Sequence, residues 1–137
     1  MLTEVQDRII TLLGEVSGPA LVDSWMGDDI ELLTQAAKVP ALYLVYAGRV
    51  FEAKSTIGSD VAAKDLSFLI VLLNKDLKSR RSCSEACNTI IEAVEAKLKG
   101  ADILGYGWAW PESEELIHAG AGTLMYGLRY RIHLKKT

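Results

Sequence analysis

The stretch from Leu124 to Leu134 constrains the fold of this chain more than any other segment. Its even positions are all apolar, and from residue 129 onward its odd positions are basic: Arg129, Arg131, His133 and Lys135. Successive side chains of a strand point to opposite faces of a sheet. The pattern therefore predicts a strand with one face in a core and one polar face, paired with a short strand over residues 114–118 across a turn at 119–122.

Two other segments are apolar almost without interruption, which is typical of strands covered on both faces. They are residues 41–47 and 66–73. The polar stretch between them contains Gly48 and Gly58 and is long enough for an extended hairpin arm or a loop. The sequence therefore predicts two central strands joined by a long connection.

Helical spacing of apolar residues predicts three helices, over residues 3–16, 29–37 and 83–99. Thr3 and Ser82 are expected to begin the first and third as capping-box residues, and Gly100 follows the third. The order helix, helix, strand, strand, helix, strand, strand favours an α+β class. We expect one domain over residues 1–137, with a small antiparallel or mixed sheet of four to five strands and helices mainly on one face.

Composition limits the functions that this chain can have. Of its 137 residues 50% are hydrophobic, the upper end for a soluble domain, so part of its surface is expected to lie against a partner. The net charge of −3 is unlike the basic balance of nucleic-acid binders. The longest apolar run, Phe68 to Leu73, is too short to span a membrane, and residues 1–4 do not resemble a signal peptide. Synthesis in the cytoplasm is expected.

The sequence contains no recognisable catalytic set. Cys83 and Cys87 could supply half of a zinc site, but His118 and His133 lie far away without paired spacing, so core cysteines are the favoured interpretation. The glycines of residues 105–127 precede a strand and do not open a helix, unlike a phosphate-binding loop. We therefore expect no enzyme activity, no metal and no cofactor.

Several side chains are candidates for contact with a partner, each with a plainer alternative. Trp108 and Trp110 could anchor a partner or close the end of the core. The basic groups could meet a partner's carboxylates or lie in solvent. The full candidate set is Arg49, Lys54, Lys75, Lys78, Arg80, Arg81, Trp108, Trp110, Arg129 and Arg131.

The order of several segments resembles a tail protein family of Mu-like contractile phages. They are LTEVQDRIITLL at 2–13, VPALYLVYAG at 39–48, residues 69–77 followed by a basic loop at 75–81 and the helix after it, IHAG at 117–120, and LMYGLRYRI at 124–132. The resemblance spans almost the whole chain and is weakest over residues 50–63. It implies a tail-terminator-like fold without catalytic residues.

The resemblance also implies a role in the virion. Such subunits are expected to form a hexameric ring at the head-proximal end of the tail, which ends tube and sheath polymerisation and offers a docking surface for neck proteins. The implied partners are other copies of the chain and the tube, sheath and neck proteins, and DNA could pass through the ring without specific binding. The alternative is a cytoplasmic α+β module that binds a ligand or regulates an enzyme as a dimer.

Overall fold

The computed structural model describes residues 1–24, 38–53, 61–76, 80–120 and 122–135. The elements in chain order are α1 (Leu2–Gly14), β1 (Leu21–Ser24), β2 (Ala41–Ala53), β3 (Val61–Lys75), α2 (Arg80–Leu98), β4 (Asp102–Ile103), β5 (Gly107–Gly120) and β6 (Thr123–Leu134). The predicted helix over 29–37 lies outside the described residues.

The strands form one mixed sheet in the order β1-β2-β3-β6-β5-β4. β1 runs parallel to β2, and every other neighbouring pair is antiparallel. The α+β class is confirmed, but the prediction of four to five strands was too small for the six described strands. β1 and β4 were missed because strands of four and two residues are too short to show a period.

The strands are also longer than predicted. β2 and β3 stay paired from Ala41 and Leu73 out to Ala53 and Val61, so much of the polar 47–65 connection belongs to an extended hairpin. β5 begins at Gly107, seven residues before the predicted 114–118 strand. The extended hairpin arm is thus the one of the two interpretations of this connection that the structure supports. The early start of β5 was missed because residues 107–113 carry no clean alternation, and the pairing that orders them comes from the neighbouring strand.

Both described helices pack on the same face of the sheet. α1 contributes Val5, Ile9 and Leu13 to a core that also contains Val94 and Leu98 of α2. The sheet side of this core is built from alternate residues of the central strands, namely Leu66, Phe68, Ile70, Leu72, Leu128, Tyr130 and Ile132. The even positions of β6 therefore face the helices, as its alternation predicted.

The predicted helix starts were wrong. α1 begins at Leu2, its N-cap Met1 makes no side-chain capping bond, and the Gln6 amide donates instead to Ser24 Oγ at 3.2 Å. α2 begins at Arg80, which leaves Ser82 within the first turn. The predicted end of α2 is confirmed, because Gly100 follows the helix with a φ of +75°.

The second face of the sheet changes character along its length. At one end a smaller apolar cluster is buried there, comprising Ala41, Tyr43, Val71, Leu73 and Met125. The inner parts of β2 and β3 are therefore covered on both faces, as their apolar runs predicted. At the other end the same face carries the polar odd positions of β6 together with Trp108 and Trp110 of β5.

Candidate functional site

The candidate contact residues fall in separate places. Trp108 and Trp110 of β5 and Arg129 and Arg131 of β6 lie together on the second face of the sheet. Elsewhere are Arg49 on β2, Lys75 at the end of β3, and Arg81 at the start of α2. Lys54 and Lys78 lie outside the described residues, as does the side chain of Arg80, the first residue of α2.

Strand register brings the aromatic and basic side chains onto one face. Trp108 lies opposite His133, and Trp110 lies opposite Arg131. Directly opposed residues of an antiparallel pair share a face and are close enough for side-chain contact. Trp108 is 42% exposed and Trp110 is 41% exposed. Neither ring closes the core, so the structure places both where a partner can reach them.

A buried carboxylate that the sequence analysis missed organises this face. Asp65 is 3% exposed, and its Oδ1 lies 2.6 Å from Nδ1 of His133. Its Oδ2 lies 3.8 Å from Nη1 of Arg131, and Nη2 of Arg131 donates to Glu112 at 2.7 Å. Burying a carboxylate requires such partners. The Asp65 and Glu112 carboxylates therefore hold Arg131 in place beside Trp110.

Trp108 is held by a contact of its own, with Lys135. Nζ of Lys135 lies 4.7 Å from the centroid of the Trp108 ring, within cation–π range. The same ammonium lies 3.3 Å from Oδ2 of Asp102. The exposed indole is thus packed against a lysine whose charge is already paired.

This part of the second face, called the aromatic–basic face, carries little net charge; it comprises Trp108, Trp110, Arg129, Arg131, His133 and Lys135. Three cations, Arg129, Arg131 and Lys135, stand near three anions, Asp65, Glu112 and Asp102. Protein surfaces that bind nucleic acid are usually strongly positive, whereas Trp and Arg are enriched among the residues that dominate protein–protein binding. The arrangement favours a protein partner.

The two long outer strands have open edges among the described residues. β1 pairs only with Ala41 to Leu44 of β2, and β4 pairs only with Gly107 and Trp108 of β5. Within the described ranges, every exposed large hydrophobic residue except Met1 lies on or beside these edges. They are Val50 and Phe51 on β2, and Leu104, Trp108, Trp110, Leu116 and Ile117 on the β4–β5 side.

The open side of β5 is acidic. A groove of about 340 Å³ runs between α2 and β5, lined by Asn88, Ile91, Glu92, Glu114, Glu115, Leu116 and Tyr126. Burial raises the pKa of the nearby Tyr130 to about 12, and the charges of Glu95 and Glu114 add to the rise. This groove and edge therefore offer carboxylates together with apolar surface.

The two cysteines lie in the interior. Cys83 and Cys87 are 3% and 0% exposed, and burial raises the pKa of Cys87 to about 11. These are small core side chains and poor thiolate donors. In the described part of the chain, no group of three or more His, Cys, Asp or Glu residues is placed to hold a metal ion.

No protein-family model and no curated protein sequence matches the chain. Among solved structures it is similar to a chain of the virion of the native gene transfer agent (GTA) particle, with a TM-score of 0.60 and 15% sequence identity. The likeness covers 96% of this chain and 94% of that chain, and at this identity it shows a shared fold. Among the described residues no helix is long and apolar enough to cross a membrane.

Proposed function

We propose that this chain is a structural protein of a phage-like virion, a subunit that acts by assembling and not by catalysis. The observation that carries the proposal is the fold shared with a gene transfer agent virion chain over nearly the full length of both chains. A likeness that extends over both whole chains is what two subunits of related particles would give. The same role is what the resemblance of several segments to a Mu-like tail protein family implies.

The finer assignment comes from that resemblance. The subunit would form a hexameric ring at the head-proximal end of a contractile tail, ending tube and sheath polymerisation. It would offer a surface to the neck proteins, and DNA could pass through the ring without specific binding. This role requires neither a cofactor nor a catalytic residue.

The aromatic–basic face supports a docking role within such a particle. Trp108 and Trp110 combine apolar area with a polar edge, and Arg131 is fixed by Asp65 and Glu112. Anchors that are already ordered lose little entropy on binding. We assign this face to contact with another virion protein, for which the tail tube is the first candidate.

Electron microscopy and native mass spectrometry of the purified protein, alone and with tail tubes, test the proposal. The expected result is a ring, either free or seated on the tube end. A protein that stays monomeric and ignores tubes would overturn it. A two-fold dimer that ignores tubes would instead favour the regulatory module.

The docking face has its own test within the same assay. Trp110→Ser should weaken tube binding at least tenfold, because hot-spot tryptophans contribute about 2 kcal/mol or more. The matched control is Leu104→Ser, which removes an apolar side chain just before β5 that is 52% exposed, against 41% for Trp110. Equal tube binding by both variants would show that this face does not contact the tube.

A further inference from the structure

The directions of the long strands determine how one copy of this sheet can meet another. β2, β3, β6 and β5 are neighbours in that order, and each is antiparallel to the next. Three reversals leave β5 running opposite to β2. A rotation that brings β5 of one copy beside β2 of the next therefore places the two open edges in antiparallel register.

The two edges carry complementary side chains on the same face of the sheet. Arg49 of β2 lies opposite the core residue Leu66, so it is on the helix-covered face, with its guanidinium carbon 4.6 Å from the centroid of the Phe51 ring. On β5, Glu114 lies opposite the core residue Leu128, which puts it on the same face. One edge offers a cation beside an aromatic ring, and the other offers a carboxylate beside Leu116.

The same chemistry opposes pairing of an edge with itself. Two β5 edges would bring Glu112, Glu114 and Glu115 against their own copies, and like charges opposed across strands are destabilising. Charged residues, Pro111 and bulges are common protections of an edge strand, and β5 has two register shifts. These features discourage self-pairing but leave a basic, apolar edge as a suitable partner.

We infer that the open edge of β5 in one copy of this chain pairs with the open edge of β2 in the next, with Arg49 opposite Glu114. The contact is head-to-tail, the kind that forms a ring when its rotation closes and a filament when it does not. It extends the sheet from copy to copy and covers Phe51 and Leu116. The inference rests on the proposed ring and names the seam through which that ring would close.

Charge reversal tests the seam in the full-length protein. Arg49→Glu and Glu114→Arg should each shift the assembly midpoint at least tenfold in concentration, and the double variant should recover most of the loss. Asp7→Lys and Lys99→Glu are the matched controls, because both side chains are exposed outside the two edges. Controls that disrupt assembly as strongly as the edge variants would overturn the assignment.

A disulfide tests the register. Val50 follows Arg49 and Ser113 precedes Glu114, so the two lie opposite one another in the proposed antiparallel pairing. The doubly substituted V50C/S113C protein should therefore oxidise into a ladder of covalent oligomers ending at the ring. Either single variant can give at most a linked pair. The native thiols are buried, which leaves the introduced ones to react.

The outcomes separate the seam from the proposed function. Rings that form normally with either single charge reversal, together with no ladder from V50C/S113C, would overturn the seam while the ring stands. A ladder from open filaments that never close would uphold the seam and overturn the ring. A protein that remains monomeric with and without tail tubes would overturn both.

Discussion

The central strand β3 and the outer strand β5 are similar in length but serve different purposes. β3 is hydrogen-bonded on both sides, and six of its residues from Leu66 to Leu73 are buried. β5 is paired with β6 along almost its whole length, yet every residue from Pro111 to Gly120 is exposed. A strand can therefore be well ordered by its backbone without joining the core, and its side chains are then available to a partner.

The largest expected loss of stability follows from a substitution in the buried central strand β3. Phe68 of β3 is 1% exposed and packs edge-on against Tyr46. Phe68→Ala should lower the free energy of unfolding by about 3–5 kcal/mol through lost burial and a cavity, measured by urea denaturation of the monomer. Phe51→Ala on the exposed arm is the control and should cost under about 1 kcal/mol. Similar losses would show that a buried residue of a central strand contributes no more to stability than an exposed residue at an open edge.

A smaller loss of stability is expected at Gly107, where β5 begins. A Cβ on Gly107 would overlap the backbone carbonyl of His133, so Gly107→Ala must push β5 away from β6. Overpacking costs about 1–3 kcal/mol, and a clash with backbone should give the upper part of that range. Thermal unfolding measures this loss. Gly14→Ala, with open space around its added Cβ, is the control and should be neutral or slightly stabilising in that assay. Wild-type stability for Gly107→Ala would contradict the close approach.

Substitutions on the polar face of the sheet should lower the free energy of unfolding by less. Asp65→Asn removes the charge that His133 and Arg131 share, at an expected cost of about 1–3 kcal/mol because the group is buried. Glu112→Gln, at an exposed partner of the same arginine, should cost under about 1 kcal/mol. Chemical denaturation at pH 7 measures both. If Glu112→Gln costs as much as Asp65→Asn, the buried carboxylate does not organise this face.

The smallest effect concerns the helix layer. The hydrogen bond from Lys97, followed by its charge, lowers the pKa of Glu15 below 4.5. A lowered folded-state pKa stabilises the protein above 4.5, and that stabilisation is lost as pH falls through the lower value. Glu15→Gln should therefore make stability slightly less dependent on pH below 4.5, measured by thermal melts between pH 3 and about 6. Glu85→Gln is the control, and equal slopes for both variants would contradict the assignment.

The sequence predicted the parts of this fold that depend on local periodicity. Alternation in β6 placed Arg129 and Arg131 on a polar face because side-chain direction is a property of the strand itself. It could not reveal Asp65, which meets His133 only through the pairing of strands 68 residues apart. The open edges were also hidden, because they exist only once β1 and β4 prove too short to cover their neighbours.

The exposed tryptophans show the same limit. Their identities suggested that they either anchor a partner or close the end of the core. The choice depends on whether anything covers that end of the sheet. The register of β5 on β6 puts both rings on an exposed face beside Arg131 and His133, which argues against closure of the core, while the role as an anchor stays a prediction. Aromatic residues next to a proline do not carry that information.

The four long strands of each copy also set a dimension. Neighbouring strands lie about 4.8 Å apart, so β2, β3, β6 and β5 occupy about 19 Å of circumference. Six copies joined at the proposed seam make a circle of about 115 Å, or about 37 Å across between backbones, and strand tilt widens it further. The backbone diameter of such a ring is fixed by hydrogen-bond spacing and copy number. A substitution on the inner surface can therefore change the open diameter only by the difference in side-chain length.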